Sequence, residues 1–314
     1  MNQTFKPKLF SKAHQEIIER ANGVIDKYQS EGYDLTLRQL YYQFVALNLF
    51  PDEWLVKIQG GQETKNHEKN YKKLGGILND ARMAGEVDWD AIVDRTRTLN
   101  EWQHETSVAD ALERMRRNYT LDMWDNQRTR VEVWVEKEAL AGVFERICGK
   151  YDVPYFACRG YTSASSAYGA YERVRNRADR GQETIILHFG DHDPSGIDMS
   201  RDIEDRLHTM ISTEEGSDFD NCFEIRRLAL NYNQVLAFNP PPSPAKITDS
   251  RAKGYIQQFG EDSWELDALD PSHLSKLAED EITSLIDYDN WEERQGQIET
   301  DKETLRSFIE QSQK

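Results

Sequence analysis

Strand-like and helix-like segments alternate strictly through the second half of this chain. Apolar runs rich in β-branched and aromatic residues occur at 131–136, 154–159, 184–189 and 222–230, separated by segments with apolar residues at helical spacing. Because a helix that joins two strands of one sheet places those strands parallel, the alternation predicts an α/β fold with a parallel sheet flanked by helices. Ligands bind such sheets outside the carboxyl ends of the strands, so a functional site is expected there.

Acidic side chains follow two of these strands. The first strand ends at Glu136, and the third is followed by Gly190-Asp191-His192-Asp193. In extended chain Asp191 and Asp193 share a face, whereas His192 points the opposite way and is expected to be structural. Carboxylate oxygens are the ligands that Mg²⁺ prefers, so Glu136, Asp191 and Asp193 are the predicted magnesium site. The alternative is that Asp-x-Asp is only a loop or helix-capping feature.

The first half predicts a helical domain. Helices are expected at 11–30, from the N-cap residue Thr36 onward, and at 68–84, where Gly85 ends the pattern. A short wing strand at 87–93 would complete the outline of a winged-helix DNA-binding domain. The alternative is an ordinary helical domain with a solvated lysine face. The cationic side chains expected on the outer side of the third helix are Lys69, Lys72, Lys73 and Arg82.

The second helix contains a candidate nucleophile. Its predicted core stripe consists of Leu37, Leu40, Tyr41, Phe44 and Val45. Tyr42 falls outside that stripe and four residues after Arg38, so both are expected on the outward face. An arginine there could stabilise a phenolate and contact a phosphate, or simply stack on a surface tyrosine. Tyr41 is the competing candidate, but its place in the core stripe argues against it.

The net charge of −17 lies almost entirely in the second half. Residues 1–130 hold 19 Lys and Arg against 20 Asp and Glu, whereas residues 131–314 hold 20 against 36. This acidity argues against a protein that coats nucleic acid through its overall charge. The nearly neutral first half can still carry a local basic face that contacts phosphate.

Features of membrane and exported proteins are not evident in the sequence. No apolar run approaches the roughly 18 residues of a membrane-spanning helix, and residues 1–9 lack the apolar core of a signal peptide. Cys148, Cys158 and Cys222 fit neither a disulfide framework nor a zinc-site spacing. We therefore expect a cytoplasmic protein without a membrane span.

The segments 133–139 (Val-Trp-Val-Glu-Lys-Glu-Ala) and 190–196 (Gly-Asp-His-Asp-Pro-Ser-Gly) resemble the Toprim domain. That domain is shared by topoisomerases, primases and some nucleases. The glutamate-lysine-glutamate-alanine version is similar to the topoisomerase VI A subunit and its relative, the meiotic double-strand-break transesterase. In that family a winged-helix domain precedes the Toprim domain and carries an arginine-x-x-tyrosine-tyrosine segment, matched here by Arg38, Tyr41 and Tyr42.

This resemblance, which covers roughly residues 30–230, implies a reaction and a set of partners. Tyr42 would attack a backbone phosphate of double-stranded DNA and become linked to the 5′ end, with Mg²⁺ held by Glu136, Asp191 and Asp193. Arg159, at the end of the second strand, matches an arginine that we assign to phosphate contact. In the family the tyrosine of one protomer meets the metal site of the other, which implies a homodimer. The chain has no ATP-binding loop, so strand passage would need an ATPase B-type subunit.

The expected organisation is a winged-helix domain at 1–125, a Toprim domain at 126–235 and a helical C-terminal extension at 236–314. The extension begins with the proline-rich stretch 239–244, and its sequence predicts no role. The whole resembles a small bacterial or phage version of a type IIB topoisomerase A subunit.

Two other functions stay open at the level of sequence. A Toprim nuclease would use metal-bound water, and Tyr42 would then be dispensable. A catalytically silent DNA-binding or complex-forming module would hold metal only structurally.

Overall fold

The second half of the chain folds around a four-stranded parallel sheet. The computed structural model describes residues 3–58, 63–94, 102–212, 222–244, 249 and 251–312. The strands stand in the order β4-β3-β5-β6, and all three pairings are parallel. This confirms the predicted α/β class. The strands are β3 (Thr129–Val135), β4 (Tyr155–Ala157), β5 (Glu183–Phe189) and β6 (Phe223–Ala229).

Helices cover both faces of the sheet. Helix α5 (Ala141–Lys150) packs on one face, and α6 (Ala164–Ala178) and α7 (Pro194–Ile211) pack on the other. Val133 and Leu187 are completely buried between these layers. Burying a side chain of that size contributes about 1.5–3 kcal/mol, so this apolar interior holds the strand ends in fixed register.

The first and third helices begin and end within a residue of the predicted bounds, and the second begins directly after Thr36 as predicted. The helical domain contains α1 (Lys12–Ser30), α2 (Leu37–Ala46) and α3 (Glu68–Ala84). Thr36 caps α2 in a reciprocal capping box, because its hydroxyl accepts a hydrogen bond from the Gln39 amide and the Gln39 side chain accepts one from the Thr36 amide. Gly85 ends α3 in the left-handed region, at φ 81°.

The wing strand expected at 87–93 is not formed. The segment consists of turns and one isolated bridge between Leu35 and Ile92. Val87, Ala91 and Ile92 are buried against the helices, and their irregular spacing does not give the alternating burial of a strand. The two short strands that do occur here, β1 (Val56–Lys57) and β2 (Glu63–Thr64), lie between α2 and α3. The winged-helix outline is therefore not confirmed.

The C-terminal segment completes the core of the sheet domain. Leu274, Ala278 and Ile282 are completely buried. They lie on helix α10 (Pro271–Ser284), which packs on α5. The remaining elements are α4 (Val108–Asn118), α8 (Tyr232–Phe238), β7 (Ser243–Pro244), α9 (Ala252–Phe259), β8 (Asp262–Ser263) and α11 (Tyr288–Ser312). None of the helices in the described part of the chain is both long and apolar enough to cross a membrane.

A single-turn 3₁₀ helix, Leu266–Ala268, joins the two halves of the molecule. Leu266 and Leu269 belong to the apolar core of the sheet domain, whereas Ala268 packs into the core of the helical domain. This turn also packs against α2. It therefore brings residues 265–267 between the tyrosine-bearing helix and the sheet.

Candidate functional site

The carboxyl ends of β3 and β5 bring Glu136 and Asp191 together. Val135 pairs with Phe189, and the Asp191 amide donates to Glu136 Oε2 at 2.7 Å. Gly190 permits this approach, because a Cβ atom there would lie 3.0 Å from Glu136 Oε2. These two predicted ligands therefore meet at the point where the chain leaves the central strand pair in opposite directions.

The pKa values of Glu136 and Asp191 are both raised. Burial raises the pKa of Asp191 to about 7, the Glu136 charge adds to that rise, and the Lys137 ammonium opposes it. Burial likewise raises the pKa of Glu136. Asp191 Oδ1 accepts from the Leu266 amide at 2.7 Å, and Asp191 Oδ2 lies 3.0 Å from Lys137 Nζ. A cation bound at this rim would favour the ionised forms of both groups.

Asp193 is used as a helix cap. Its Oδ1 accepts hydrogen bonds from the Gly196 amide at 2.6 Å and the Ser195 hydroxyl at 2.8 Å, at the start of α7. Among the described residues, no group of three His, Cys, Asp or Glu side chains is placed to hold a metal ion. The structure brings Glu136 and Asp191 together, and the role of Asp193 as third ligand stays a prediction.

Arg227 holds the loop that carries these residues. Its guanidinium donates to the carbonyl oxygens of Asp191 at 2.6 Å, Gly190 at 3.1 Å and Gly196 at 2.9 Å. The side chain is largely buried beneath the loop, and burial lowers its pKa against the opposing pull of nearby carboxylates. Sequence reasoning missed this positioning residue, because it follows from the place of β6 in the sheet.

His192 is structural, as its extended position predicts. It is buried, and its Nδ1 lies 2.8 Å from the Tyr255 hydroxyl. Its ring packs edge-on against Phe259 at 4.7 Å and also contacts Trp264. Burial lowers the His192 pKa to about 4. This aromatic enclosure fixes the loop from the side opposite Arg227.

Tyr42 is buried, which corrects the expectation of an outward-facing tyrosine. Only 4% of its surface is exposed, although its hydroxyl lies 3.3 Å from Arg38 Nη2 as the spacing predicts. The stripe on α2 identified one buried face, but the turn Leu266–Ala268 covers a second. Tyr41 is also buried, and its hydroxyl accepts from the His67 amide at 2.7 Å.

Arg38 does not activate Tyr42 in this arrangement. Burial raises the pKa of the Tyr42 phenol far above its usual range, Asp267 and Glu265 raise it further, and Arg38 only partly opposes them. The guanidinium is itself bound to both carboxylates, at 2.9 Å between Arg38 Nε and Asp267 Oδ2 and through Nη2 to Glu265. Its charge is therefore shared rather than directed at the phenol oxygen.

Residues 265–267, which we call the acidic turn, were not anticipated as part of the site. Lys137 Nζ lies 2.9 Å from Glu265 Oε2 and 3.0 Å from Asp267 Oδ1, and it also pairs with Asp191. Although burial favours the neutral acid, Lys137 and Arg38 hold the pKa of Glu265 at about 2. The only sequence signal was a Glu-x-Asp spacing after Trp264. We call Arg38, Lys137, Asp191, Glu265 and Asp267 the Lys137 cluster.

A cavity of about 250 Å³ opens beside Tyr42. It gives the tyrosine and Glu265 a route to solvent between α2, α3 and the proline-rich segment. The lining residues are Arg38, Tyr41, Tyr42, Asn66, His67, Glu68, Tyr71, Ser243 and Glu265.

Three of the predicted DNA contacts lie on the exposed side of α3. Lys69, Lys72 and Lys73 are all exposed. Lys72 pairs with Glu68 one turn earlier at 2.6 Å, and Lys73 Nζ lies 4.0 Å from the centre of the Trp54 ring. These positions are accessible to a nucleic acid, and their role as phosphate contacts stays a prediction.

The two predicted arginine contacts differ in their surroundings. Arg82 folds back onto the 87–93 segment, where its guanidinium lies 4.6 Å from the Trp89 ring centre and donates to the Ile92 carbonyl at 3.2 Å. Arg159 is exposed at the end of β4 and pairs with Glu138. Arg159 thus stays open to solvent near the rim, whereas Arg82 secures a turn.

No protein-family model, curated protein or solved structure matches this chain.

Proposed function

We propose that this chain cleaves double-stranded DNA in a magnesium-dependent transesterification with Tyr42 as nucleophile, like the type IIB topoisomerase A subunits that its motifs resemble. One observation carries the proposal. Polar contacts run without a break from the Tyr42 hydroxyl through Arg38, the acidic turn and Lys137 to Asp191. A tyrosine, two cations and a carboxylate rim from distant parts of the sequence thus share one site.

The proposed roles follow from the chemistry of each group. The Tyr42 oxygen would form a bond to phosphorus while the bond from phosphorus to the 3′ oxygen breaks. The proton lost by the phenol balances the proton gained by the leaving 3′ hydroxyl. Arg38, 3.3 Å from the phenol oxygen, would bind the phosphate under attack and stabilise the phenolate once Glu265 no longer occupies its guanidinium.

Glu136 and Asp191 fit a magnesium ion in the chemistry of their donors. Mg²⁺ commonly binds proteins through one or two carboxylates and fills its remaining positions with water and substrate phosphate. Burial raises the pKa of both adjacent carboxyl groups, and a bound cation would stabilise their ionised forms. We assign them as ligands, with Asp193 as the third ligand that the sequence predicts. Bound Mg²⁺ would supply stabilisation of the charge that develops on the phosphate.

The proposal also specifies an assembly. Cleavage of both strands requires two tyrosines, and therefore two copies of the chain. The contacts between Tyr42 and Asp191 run within one chain, so each copy would use its own tyrosine and carboxylates, unlike the exchange between protomers that the resemblance implies. Strand passage would need an ATPase B-type subunit supplied in trans. Lys69, Lys72, Lys73 and Arg159 are the exposed side chains proposed to contact the DNA backbone, whereas Arg82, bound to the 87–93 segment, is no longer proposed as a contact.

A second function, hydrolysis by a metal-dependent nuclease, is favoured by a specific observation. Tyr42 is buried, and its surroundings raise the pKa of the phenol, which opposes its use as a nucleophile. In a nuclease, a water molecule at the Glu136–Asp191 rim would attack the phosphate, and Tyr42 would only pack against Arg38.

A cleavage assay separates these functions. Purified protein, with and without candidate ATPase partners, would be incubated with end-labelled duplex DNA and Mg²⁺, denatured with detergent and tested for protein-linked DNA. The variants are Tyr42→Phe, Asp191→Ala and, as a matched control, Tyr41→Phe. We expect a 5′-linked adduct that is lost in the first two variants and retained in the control.

The other outcomes each decide between alternatives. Cleavage without an adduct that survives Tyr42→Phe but not Asp191→Ala would establish the hydrolytic nuclease. Binding without cleavage under every partner condition would contradict both enzymes and support a silent DNA-binding module.

A further inference from the structure

We propose that Arg38 and Lys137 form a binding site for a backbone phosphate of DNA, and that Glu265 occupies this site until DNA displaces it. The proposal rests on the proposed function, because it assigns the regulation of the same tyrosine.

Two cationic side chains converge on one carboxylate oxygen of Glu265. Arg38 Nη2 and Lys137 Nζ both bond to Glu265 Oε2, the ammonium at 2.9 Å. Arg38 lies on α2 and Lys137 lies two residues after the end of β3, so tertiary structure alone makes them neighbours. A carboxylate oxygen and a non-bridging phosphate oxygen accept hydrogen bonds from the same cationic donors. The pair is therefore an anion site filled by the protein itself.

The two carboxylates of the acidic turn differ in exposure. The Asp267 side chain is completely buried, whereas 26% of the Glu265 side chain is exposed. Asp267 bonds to Arg38 Nε at 2.9 Å and to Lys137 Nζ at 3.0 Å. Asp267 can hold both cations in place when Glu265 leaves, so the anion site persists after exchange.

The site is open to the cavity beside Tyr42. The cavity of about 250 Å³ is lined by Arg38, Tyr42 and Glu265, together with Asn66 and Ser243. An anion that enters it reaches the face of Arg38 that already contacts the Tyr42 hydroxyl at 3.3 Å. A phosphate in the place of the Glu265 carboxylate would therefore lie next to the proposed nucleophile.

These observations describe a self-inhibited site. In the free protein Glu265 is ion-paired with Arg38. The acidic turn also covers Tyr42. Entry of a DNA phosphate would remove the first restraint and retain the two cations. The tyrosine would then face a phosphate only when DNA is bound.

The test measures DNA affinity without cleavage. Binding of a fluorescent duplex is followed by anisotropy in the presence of a chelator, for wild type, Glu265→Gln and the control Glu281→Gln. Glu281 pairs with Arg226 away from the site and has a side-chain exposure of 28%, close to that of Glu265. We expect Glu265→Gln to tighten binding on the order of tenfold, because a charge-assisted bond no longer competes with the phosphate, and Glu281→Gln to leave it unchanged.

A third variant, Lys137→Gln, tests the cation directly. Loss of one phosphate contact should weaken binding and lower the slope of log affinity against log salt by about one. Thermal unfolding checks that each variant is folded. Should Lys137→Gln fail to fold, the comparison of Glu265→Gln with Glu281→Gln decides alone. Unchanged or weaker binding by folded Glu265→Gln would overturn the inference.

Failure of this inference and failure of the proposed function give different results. Tighter binding by Glu265→Gln with no adduct in any variant would support the phosphate site and contradict transesterification. Adduct formation by wild type with no effect of Glu265→Gln on affinity would support transesterification and contradict the role of Glu265 as a competitor of the phosphate.

Discussion

Two ion clusters lie close together, one at Glu132 within β3 and one at Lys137 just after that strand, and they are built oppositely. In the first, which we call the Glu132 cluster, one carboxylate receives hydrogen bonds from Arg173, Arg177 and the Trp134 indole. In the Lys137 cluster, Asp191, Glu265 and Asp267 share only the cations of Lys137 and Arg38. The first has cations in excess of carboxylates, and the second has the reverse.

The acidities of the two clusters show what this difference means. Although burial opposes ionisation, Arg173 and Arg177 hold the pKa of Glu132 below its usual range. In the Lys137 cluster burial raises the pKa of Asp191 to about 7, whereas Lys137 and Arg38 hold the pKa of Glu265 at about 2. Burial also raises the pKa of Glu136, which lies beside Asp191. A buried carboxylate with full pairing is typical of structure, whereas a buried carboxyl group with a raised pKa is typical of functional sites. The comparison assigns stability to Glu132 and chemistry to Asp191 and its neighbour Glu136.

The largest effect is expected at the proposed nucleophile. Tyr42→Phe should lower the yield of covalent adduct about a thousandfold or more, because the nucleophilic oxygen is removed. The adduct is quantified by gel after detergent denaturation, with Glu132→Gln measured beside it at a temperature where both are folded. Equal losses of adduct in the two variants would show that the two clusters do not differ in function.

The next effect concerns stability alone. Glu132→Gln should lower the free energy of unfolding by about 3 kcal/mol, because it breaks a buried ion pair and leaves its guanidinium groups without their carboxylate. Chemical denaturation measures this change. Adduct yield per folded molecule should stay within a few-fold of wild type. A folded variant with no activity would place Glu132 in the functional site.

Metal binding should distinguish the clusters without any activity measurement. Magnesium at about 100 times its dissociation constant should stabilise the wild type by about 2.7 kcal/mol. This stabilisation should disappear in Asp191→Asn and persist in Glu132→Gln, as followed by thermal unfolding with and without chelator. Full stabilisation of Asp191→Asn by Mg²⁺ would contradict the assigned ligand.

The smallest effect is a difference in pH dependence, measured in chelator. The folded pKa of Asp191 is raised from 3.8 to about 7, so the folded state holds an extra proton between these values and stability falls as pH rises through that window. Asp191→Asn should remove a slope on the order of 1 kcal/mol per pH unit. The lowered pKa of Glu132 has the opposite sign: its stabilisation is present above the unfolded pKa and is lost as the pH falls. An unchanged slope in Asp191→Asn would contradict the raised pKa.

Much of the rim could be predicted because its geometry is local. Once β3 and β5 are parallel and in register, Glu136 and Asp191 must emerge at the same edge. Asp193 shows the limit of this reasoning, since the same spacing also suits a helix cap, which is the role that the structure shows for its Oδ1. The prediction of a wing strand at 87–93 was wrong for a related reason. Apolar residues that pack irregularly against helices resemble a strand in sequence.

By itself, the sequence determined the alternating strands and helices, the caps at Thr36 and Gly85, and the pairing of Arg38 with Tyr42. Each of these depends on hydrogen bonds and apolar spacing over a few residues. Only the tertiary structure decided that Tyr42 is covered and that Arg38 binds Asp267, 229 positions away. Helical periodicity shows which face of α2 meets its own domain, but it carries no information about a distant turn that packs on the opposite face. That contact exists because Leu266 and Ala268 are buried in two different cores, and their burial holds the acidic turn over the tyrosine.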